Sequence, residues 1–311
     1  MSSLRGRQGA SQAGRIPRRT LKTSISAVGC GLHSGAEVRL NLCPAPLNTG
    51  IVFRRTDLGV DIPARYINVT DTRLCTLVSK GDAKVGTIEH LMAALAACEL
   101  DDLIIEINAP EVPVFDGSAA PFLFLIESAG VIAHGGERSV LEILRPVRVE
   151  HEGAFAELLP HQMGNTGFDL ALSIAFKARA IGEQALRFHL SQNGFAAEIA
   201  QARTFTQLGE IEALRKAGLA RGGSLANAVV VDDGNILNPE GLRFNDEFVR
   251  HKLLDVIGDL YLAGGPISGV FRGHRTGHSL NNQLLRAVFA DQANYRLLNG
   301  QLGIALQLAA A

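Results

Sequence analysis

The run Phe248-Val249-Arg250-His251-Lys252-Leu253-Leu254-Asp255-Val256-Ile257-Gly258-Asp259-Leu260 sets an imidazole and a carboxylate four residues apart in an otherwise apolar, helix-like stretch. An α-helix repeats every 3.6 residues, so His251 and Asp255 stack on one face and Asp259 extends the row by another turn. A divalent metal could bridge two of these groups. The competing reading is a plain helix on which His251 hydrogen-bonds Asp255 while Arg250, Lys252 and Asp259 face water. The choice turns on a third ligand elsewhere in the chain.

The chain has 311 residues, 47% of them hydrophobic, enough to bury one large core or two ordinary ones. Thirty Lys and Arg against 31 Asp and Glu leave a net charge of -1, so no bulk positive field supports non-specific nucleic-acid binding. The four cysteines, Cys30, Cys43, Cys75 and Cys98, are too scattered for a metal knuckle or a dense disulfide framework, and read as reduced thiols in cytosol. Arg5, Arg7, Arg15, Arg18 and Arg19 lie among Gly, Ser and Gln with no apolar core behind them, so residues 1–18 read as a flexible basic tail rather than a secretory signal. A nucleic-acid arm or targeting element is the alternative for that tail. No stretch reaches the roughly 20 apolar residues that span a bilayer, since the run after His90 is cut by Glu99, Asp101 and Asp102.

Residues 19 to 78 read as short strands and turns, with alternation over Ala36 to Leu42, a break at Cys43-Pro44-Ala45-Pro46 and a strand from Gly50 to Arg54. A helix follows Glu89-His90 with Thr87 as its cap, Leu103 to Ile107 returns to strand, and Pro121 to Ala129 makes a second helix. A second round opens near Arg138. It has strands at Leu141 to Val149, Ala154 to Leu159 and Phe168 to Phe176, then helices at Phe205 to Ala217, Glu247 to Leu262 and Asn281 to Phe289. Two rounds of sheet followed by helix predict an α+β fold of two similar domains, 19–138 and 139–311, with helices on one face of each sheet. Ile304 to Ala311 could be a closing strand or a loose tail.

Glu89-His90 supplies the carboxylate and imidazole at a helix start that the His251–Asp255 edge lacks. Two histidines and one carboxylate leave a fourth position open on zinc, the catalytic arrangement, and Glu89 could then take a proton from the metal's water. Read blandly, Glu89 is salt-bridged and His90 sits at a core edge. His278, in the Gly-rich loop Gly273 to Asn282, could protonate a leaving group or stabilise an oxyanion, with Asp259 keeping it charged; it could equally cap the next helix.

From about Thr20 to Asn299 the chain resembles the zinc-dependent UDP-3-O-acyl-N-acetylglucosamine deacetylases, which carry out the committed step of lipid A synthesis in Gram-negative bacteria. The resemblance rests on Gly29 to Gly35, Thr87 to Leu95, Asp116 to Phe122, Ala202 to Phe205, Asp246 to Leu260 and Gly277 to Asn282. It implies a two-domain sandwich and a zinc ion held by His90, His251 and Asp255. Glu89 becomes the general base and His278 the electropositive general acid, with Thr204 in the oxyanion site, Lys252 as a supporting substrate contact and Asp259 orienting His278. A βαβ insert near 199–224 would form the hydrophobic passage for the acyl chain, and Arg275, Lys252 and Lys177 are candidates to face the diphosphate. An acylated UDP-sugar is the implied partner; the scattered cysteines suit a cytoplasmic chain, two sizeable domains that complete their own cores suggest a monomer, and no nucleic-acid or integral membrane role is expected.

Phe176 to Ile181 departs from the family's His-Pro pair after the Phe, and Arg275-Thr276 replaces a common Lys-Ser. Two rival readings keep the metal ligands: another zinc amidohydrolase acting on an acylated sugar, and a zinc-stabilised lipid or nucleotide binding module without turnover. A two-histidine, one-carboxylate site also accepts iron or cobalt.

Overall fold

A computed structural model describes residues 16–162 and 165–298, a mixed α+β arrangement of several sheets and six helices. Strand Glu37–Pro44 buries Val38, Leu40 and Leu42 on one face and turns Glu37 and Arg39 outward, the period-two pattern of a half-buried strand. It pairs antiparallel with Ile25–Cys30, and Ile51–Arg55 pairs antiparallel with Val60–Pro63. Leu103–Ile107 enters between these hairpins, antiparallel to Glu37–Pro44 and parallel to Ile51–Arg55. The central strand Leu103–Ile107 is flanked in sequence by helices α1 (Glu89–Ala97) and α2 (Ala120–Ala129), and every residue of α1 is buried.

The same plan recurs in the second half. Val147–His151 and Ala154–Leu159 form one hairpin, Phe168–Ala175 and Glu183–His189 another, and Ile267–His274 lies between them, antiparallel to Ala154–Leu159 and parallel to Phe168–Ala175. Val140–Ile143 and Tyr295–Leu298 complete this seven-stranded sheet. A short helical turn, α3 (Gln192–Gly194), runs into a π-helical turn at Phe195–Ile199. Phe205–Gln207 then leads into α4 (Leu208–Lys216) and a parallel return at Val229–Asp232, and α5 (Glu247–Tyr261) and α6 (His278–Phe289) flank the Ile267–His274 strand. Helices α1 and α5 pack on each other, and α5 and α6 also pack on strands of the second sheet.

Several expectations need correction. The basic segment through residue 18 is not all tail: Pro17–Leu21 is a strand paired with Val131–Glu137, and Arg18 is buried, its guanidinium donating to both oxygens of Asp102 at 2.7 and 2.8 Å. Arg5, Arg7 and Arg15 lie outside the described residues, as does Ile304 to Ala311. Leu141 to Val149 is two strands, because Pro146 lacks the N–H a continuous ladder would need. Phe205 is in a strand, and α4 starts only after Gln207, where Gln207 and Glu210 cap one another's backbone. Helix α6 begins at His278, three residues before Asn281. Among the described residues no helix is long and apolar enough to cross a membrane.

Candidate metal centre

The α1–α5 contact positions the chemistry, and Gly258 permits it. A Cβ on Gly258 would stand 2.0 Å from the carbonyl oxygen of Glu89 and 3.1 Å from the amide nitrogen of Ala93. The first turn of α1 is thereby laid against the second half of α5. Gly258→Ala is expected to cost at least about 3 kcal/mol and to weaken metal binding, because neither helix backbone can yield without parting the ligands. Chemical denaturation alongside metal titration checks this.

Thr87 does not cap α1. Its φ is +54°, Ile88 occupies the cap position, and the Thr87 hydroxyl donates to Glu111 Oε1 at 3.1 Å instead. The turn nonetheless aims Glu89 and His90 inward, 4% and 3% exposed. On α5 the row His251, Asp255, Asp259 is buried along its length, which removes the reading in which Asp259 faces water.

His90, His251 and Asp255 converge so that one ligand atom from each lies within 4.8 Å of the others. Asp255 Oδ1 is 3.7 Å from His90 Nε2 and 3.5 Å from His251 Nε2. That oxygen is buried and accepts no hydrogen bond, whereas Oδ2 accepts from Lys252 Nζ at 2.9 Å. His251 Nδ1 lies 3.1 Å from the carbonyl oxygen of Ala202, so an N–H donated there leaves Nε2 as a lone pair facing Asp255. Burial lowers both imidazoles, His90 to about 3 with the neighbouring His251 adding to the effect. Burial opposes the charge of Asp255, but Lys252 and the nearby histidines outweigh it and hold the carboxyl well below its usual range. Two neutral imidazoles and one carboxylate around an orphaned oxygen are a donor set for a divalent cation.

Glu89 and His278 flank this set. Burial lifts Glu89 to about 7, with His278 pulling it down and Asp255 and Asp259 pushing it up. Burial would lower His278, but Asp259, 2.9 Å from Nδ1, and the carboxylates of Glu89 and Asp255 hold it up at about 9. Asp259 Oδ2 also accepts from Asn281 Nδ2 at 2.8 Å, and Asp259 Oδ1 from the Thr76 hydroxyl at 2.5 Å. A carboxyl that titrates near neutrality thus sits beside an imidazole that is protonated there, a pairing suited to acid–base chemistry.

Thr204 lies just past the carbonyl that holds His251. Its N–H donates to Gly117 O at 2.8 Å, and Gly117, at φ +82°, has no room for a Cβ beside Asn227 O. Arg203 secures the segment through a buried ion pair with Glu247 at 2.8 Å. Thr204 and Phe205 open onto a cavity of about 400 Å³ lined also by Leu32, Leu74, Ile211 and Leu214. The Phe205 ring is 6.1 Å from that of His251, and Lys252 Nζ sits 5.7 Å from the Phe205 ring centre. His33, whose ring nitrogens are buried without a hydrogen-bond partner, borders this cavity and a neighbouring one of about 560 Å³. A larger hollow, about 1000 Å³ on the second sheet around Ala171, Arg187 and Arg272, shares no residue with the metal set, so volume alone does not mark the site. Lys177 and Arg275 are exposed and have no hydrogen bond or ion pair to the metal set. Sequence reasoning missed Thr76, which reaches the site from a distant part of the chain and carries no motif; Asn281 and the Ala202 carbonyl lie inside the blocks Gly277 to Asn282 and Ala202 to Phe205, but nothing in those blocks assigns them a contact.

The fold and the site define an α+β protein with a buried cluster of two histidines and one carboxylate that could hold a metal ion, beside a second buried carboxylate and imidazole. A profile of the UDP-3-O-acyl N-acetylglycosamine deacetylases matches residues 18–290. Proteins named UDP-3-O-acyl-N-acetylglucosamine deacetylase are similar along most of their length. The one from Legionella pneumophila (strain Corby) is 49% identical over 281 residues, 89% of this chain and 91% of that protein. That of Chromobacterium violaceum is 50% identical over 276 residues, 87% and 90% of the two chains, and that of Neisseria meningitidis 47% over 285 residues, 89% and 92%. The chain belongs to the UDP-3-O-acyl N-acetylglycosamine deacetylase family.

Proposed function

We propose that this chain hydrolyses the N-acetyl amide of UDP-3-O-(3-hydroxyacyl)-N-acetylglucosamine, giving acetate and the free glucosamine amine, with zinc at His90, His251 and Asp255. The observation that carries the reading is the unpartnered Asp255 Oδ1, within 3.7 Å of His90 Nε2 and 3.5 Å of His251 Nε2, beside Glu89 and His278. Zinc bound there supplies a Lewis acid for the amide carbonyl and for a water. Glu89, raised to about 7 yet ionised over much of the neutral range, accepts the proton of the attacking water. His278, charged below about 9 and oriented by Asp259, offers its Nε2–H to the developing oxyanion and then a proton to the departing nitrogen, which leaves poorly without one. Thr204 contributes to the oxyanion site. Lys252 holds Asp255 in place and adds a positive charge on the substrate side.

The cavity walled by Phe205, Ile211 and Leu214 takes the acyl chain, and the βαβ unit Phe205 to Asp232, which overlaps residues 199–224, supports the reading of that stretch as an insert. The repeated strand plan and the α1–α5 packing support two domains, 19–138 and 139–311, closed as a sandwich around the site. A cytoplasmic monomer acting on a UDP-sugar, with no nucleic-acid role, fits this reading. Leu214→Trp should fill the passage and raise KM for long-chain substrates at least about tenfold while sparing a short-chain analogue. Turnover in ¹⁸O-labelled water tests the reaction itself. Hydrolysis of the amide puts one labelled oxygen into acetate and none into the sugar, whereas release of the hydroxyacyl chain instead would point to an esterase.

A further inference from the structure

Thr76 is 1% exposed and sits just before strand Leu77–Lys80, on a segment that contributes no ligand to the metal set. All three of its polar groups are engaged at the site. The N–H donates to Glu89 Oε2 at 3.0 Å, the carbonyl accepts from the Ile88 N–H at 3.4 Å, and the hydroxyl donates to Asp259 Oδ1 at 2.5 Å. One residue therefore touches the proton acceptor on α1 and, on α5, the carboxylate that orients the proton donor.

The hydroxyl has a task that no other described group performs. Asp259 Oδ2 is shared by His278 and Asn281, while among the described residues Oδ1 accepts only from Thr76. Anchored at one oxygen alone, a carboxylate turns about its Cβ–Cγ bond and takes its partner imidazole with it; anchored at both, its plane is fixed. A short hydrogen bond from a hydroxyl to a buried carboxylate is also among the stronger kinds, and a methyl in its place leaves that oxygen unsatisfied. We propose that Thr76 is a positioning residue that couples the two proton-handling groups, fixing Glu89 with its backbone N–H and the Asp259–His278 pair with its hydroxyl. The proposal rests on the roles given to Glu89 and His278 above.

The test compares Thr76→Val, which keeps the shape without the hydroxyl, with Thr76→Ser, which keeps the hydroxyl, in the zinc-loaded full chain. Thr76→Val should lower kcat by about 10- to 100-fold with KM within about twofold, and Thr76→Ser should keep at least about a third of kcat. In an Asp259→Asn background the Val change should add little further loss, since the two act as one unit. The low-field proton on His278 Nδ1, read by NMR, should persist in the Ser variant and be shifted or broadened in the Val variant. A Val variant within about twofold of the parent kcat overturns the proposal, as does a Ser variant as impaired as Val. Loss of fold or metal in the Val variant would show a packing role and overturn it too. If the parent does not turn over the UDP-sugar, the functional reading fails, while the NMR comparison still decides the Thr76–Asp259–His278 link.

Discussion

Glu89→Gln is expected to lower kcat by about 10²- to 10⁴-fold while the bound metal is unchanged. The substitution keeps the length of the side chain and an oxygen for the Thr76 N–H, and removes only the ability to accept a proton. Burial holds Glu89 at about 7, an unusual position for a carboxyl and close to the optimum for a general base at neutral pH. Steady-state kinetics with metal analysis on the same sample checks the result. A Gln variant within about tenfold of the parent would take the base role from Glu89.

His278→Ala should cost kcat a comparable factor, about 10²- to 10⁴-fold, and should also change the shape of the pH profile. Asp259 and the other carboxylates around His278 favour the imidazolium up to about 9 in the metal-free chain, and a nearby divalent cation disfavours it, so parent activity falls as pH rises through a value below about 9 and the proton is lost. The variant should lack this alkaline limb. On the acid side the sign is opposite: activity falls as Glu89 is protonated, and a divalent cation beside a carboxylate favours its charged form, placing that limb below about 7. An Ala variant that keeps both the rate and the alkaline limb would remove His278 from the mechanism.

The His251–Asp255–Asp259 row was legible because helical periodicity alone puts these residues on one face, and α5 does so. That His90 completes the set was not readable from spacing, since 161 positions separate it from His251 and only the α1–α5 packing joins them. The resemblance to a family supplied that link, and the orphaned Asp255 Oδ1 gives it an independent physical ground. Local errors have local causes. Thr87 looked like a cap by residue type, but Glu111 claims its hydroxyl. Phe205 continued an apolar helical pattern, but parallel pairing with Val229 holds it in a strand. Arg18 looked like part of a tail because its partner, Asp102, is 84 residues away. Thr76 was invisible for the same reason: its hydroxyl meets a carboxylate 183 residues distant, and a lone threonine in a turn carries no pattern.

The most direct measurement is release of acetate and free amine from UDP-3-O-(3-hydroxyacyl)-N-acetylglucosamine by the purified chain, before chelation, after it and after zinc is restored. Turnover that disappears with the metal and returns with zinc is the expected result. Folded, zinc-loaded protein that leaves the N-acetyl group intact would contradict the assignment of this site to amide hydrolysis.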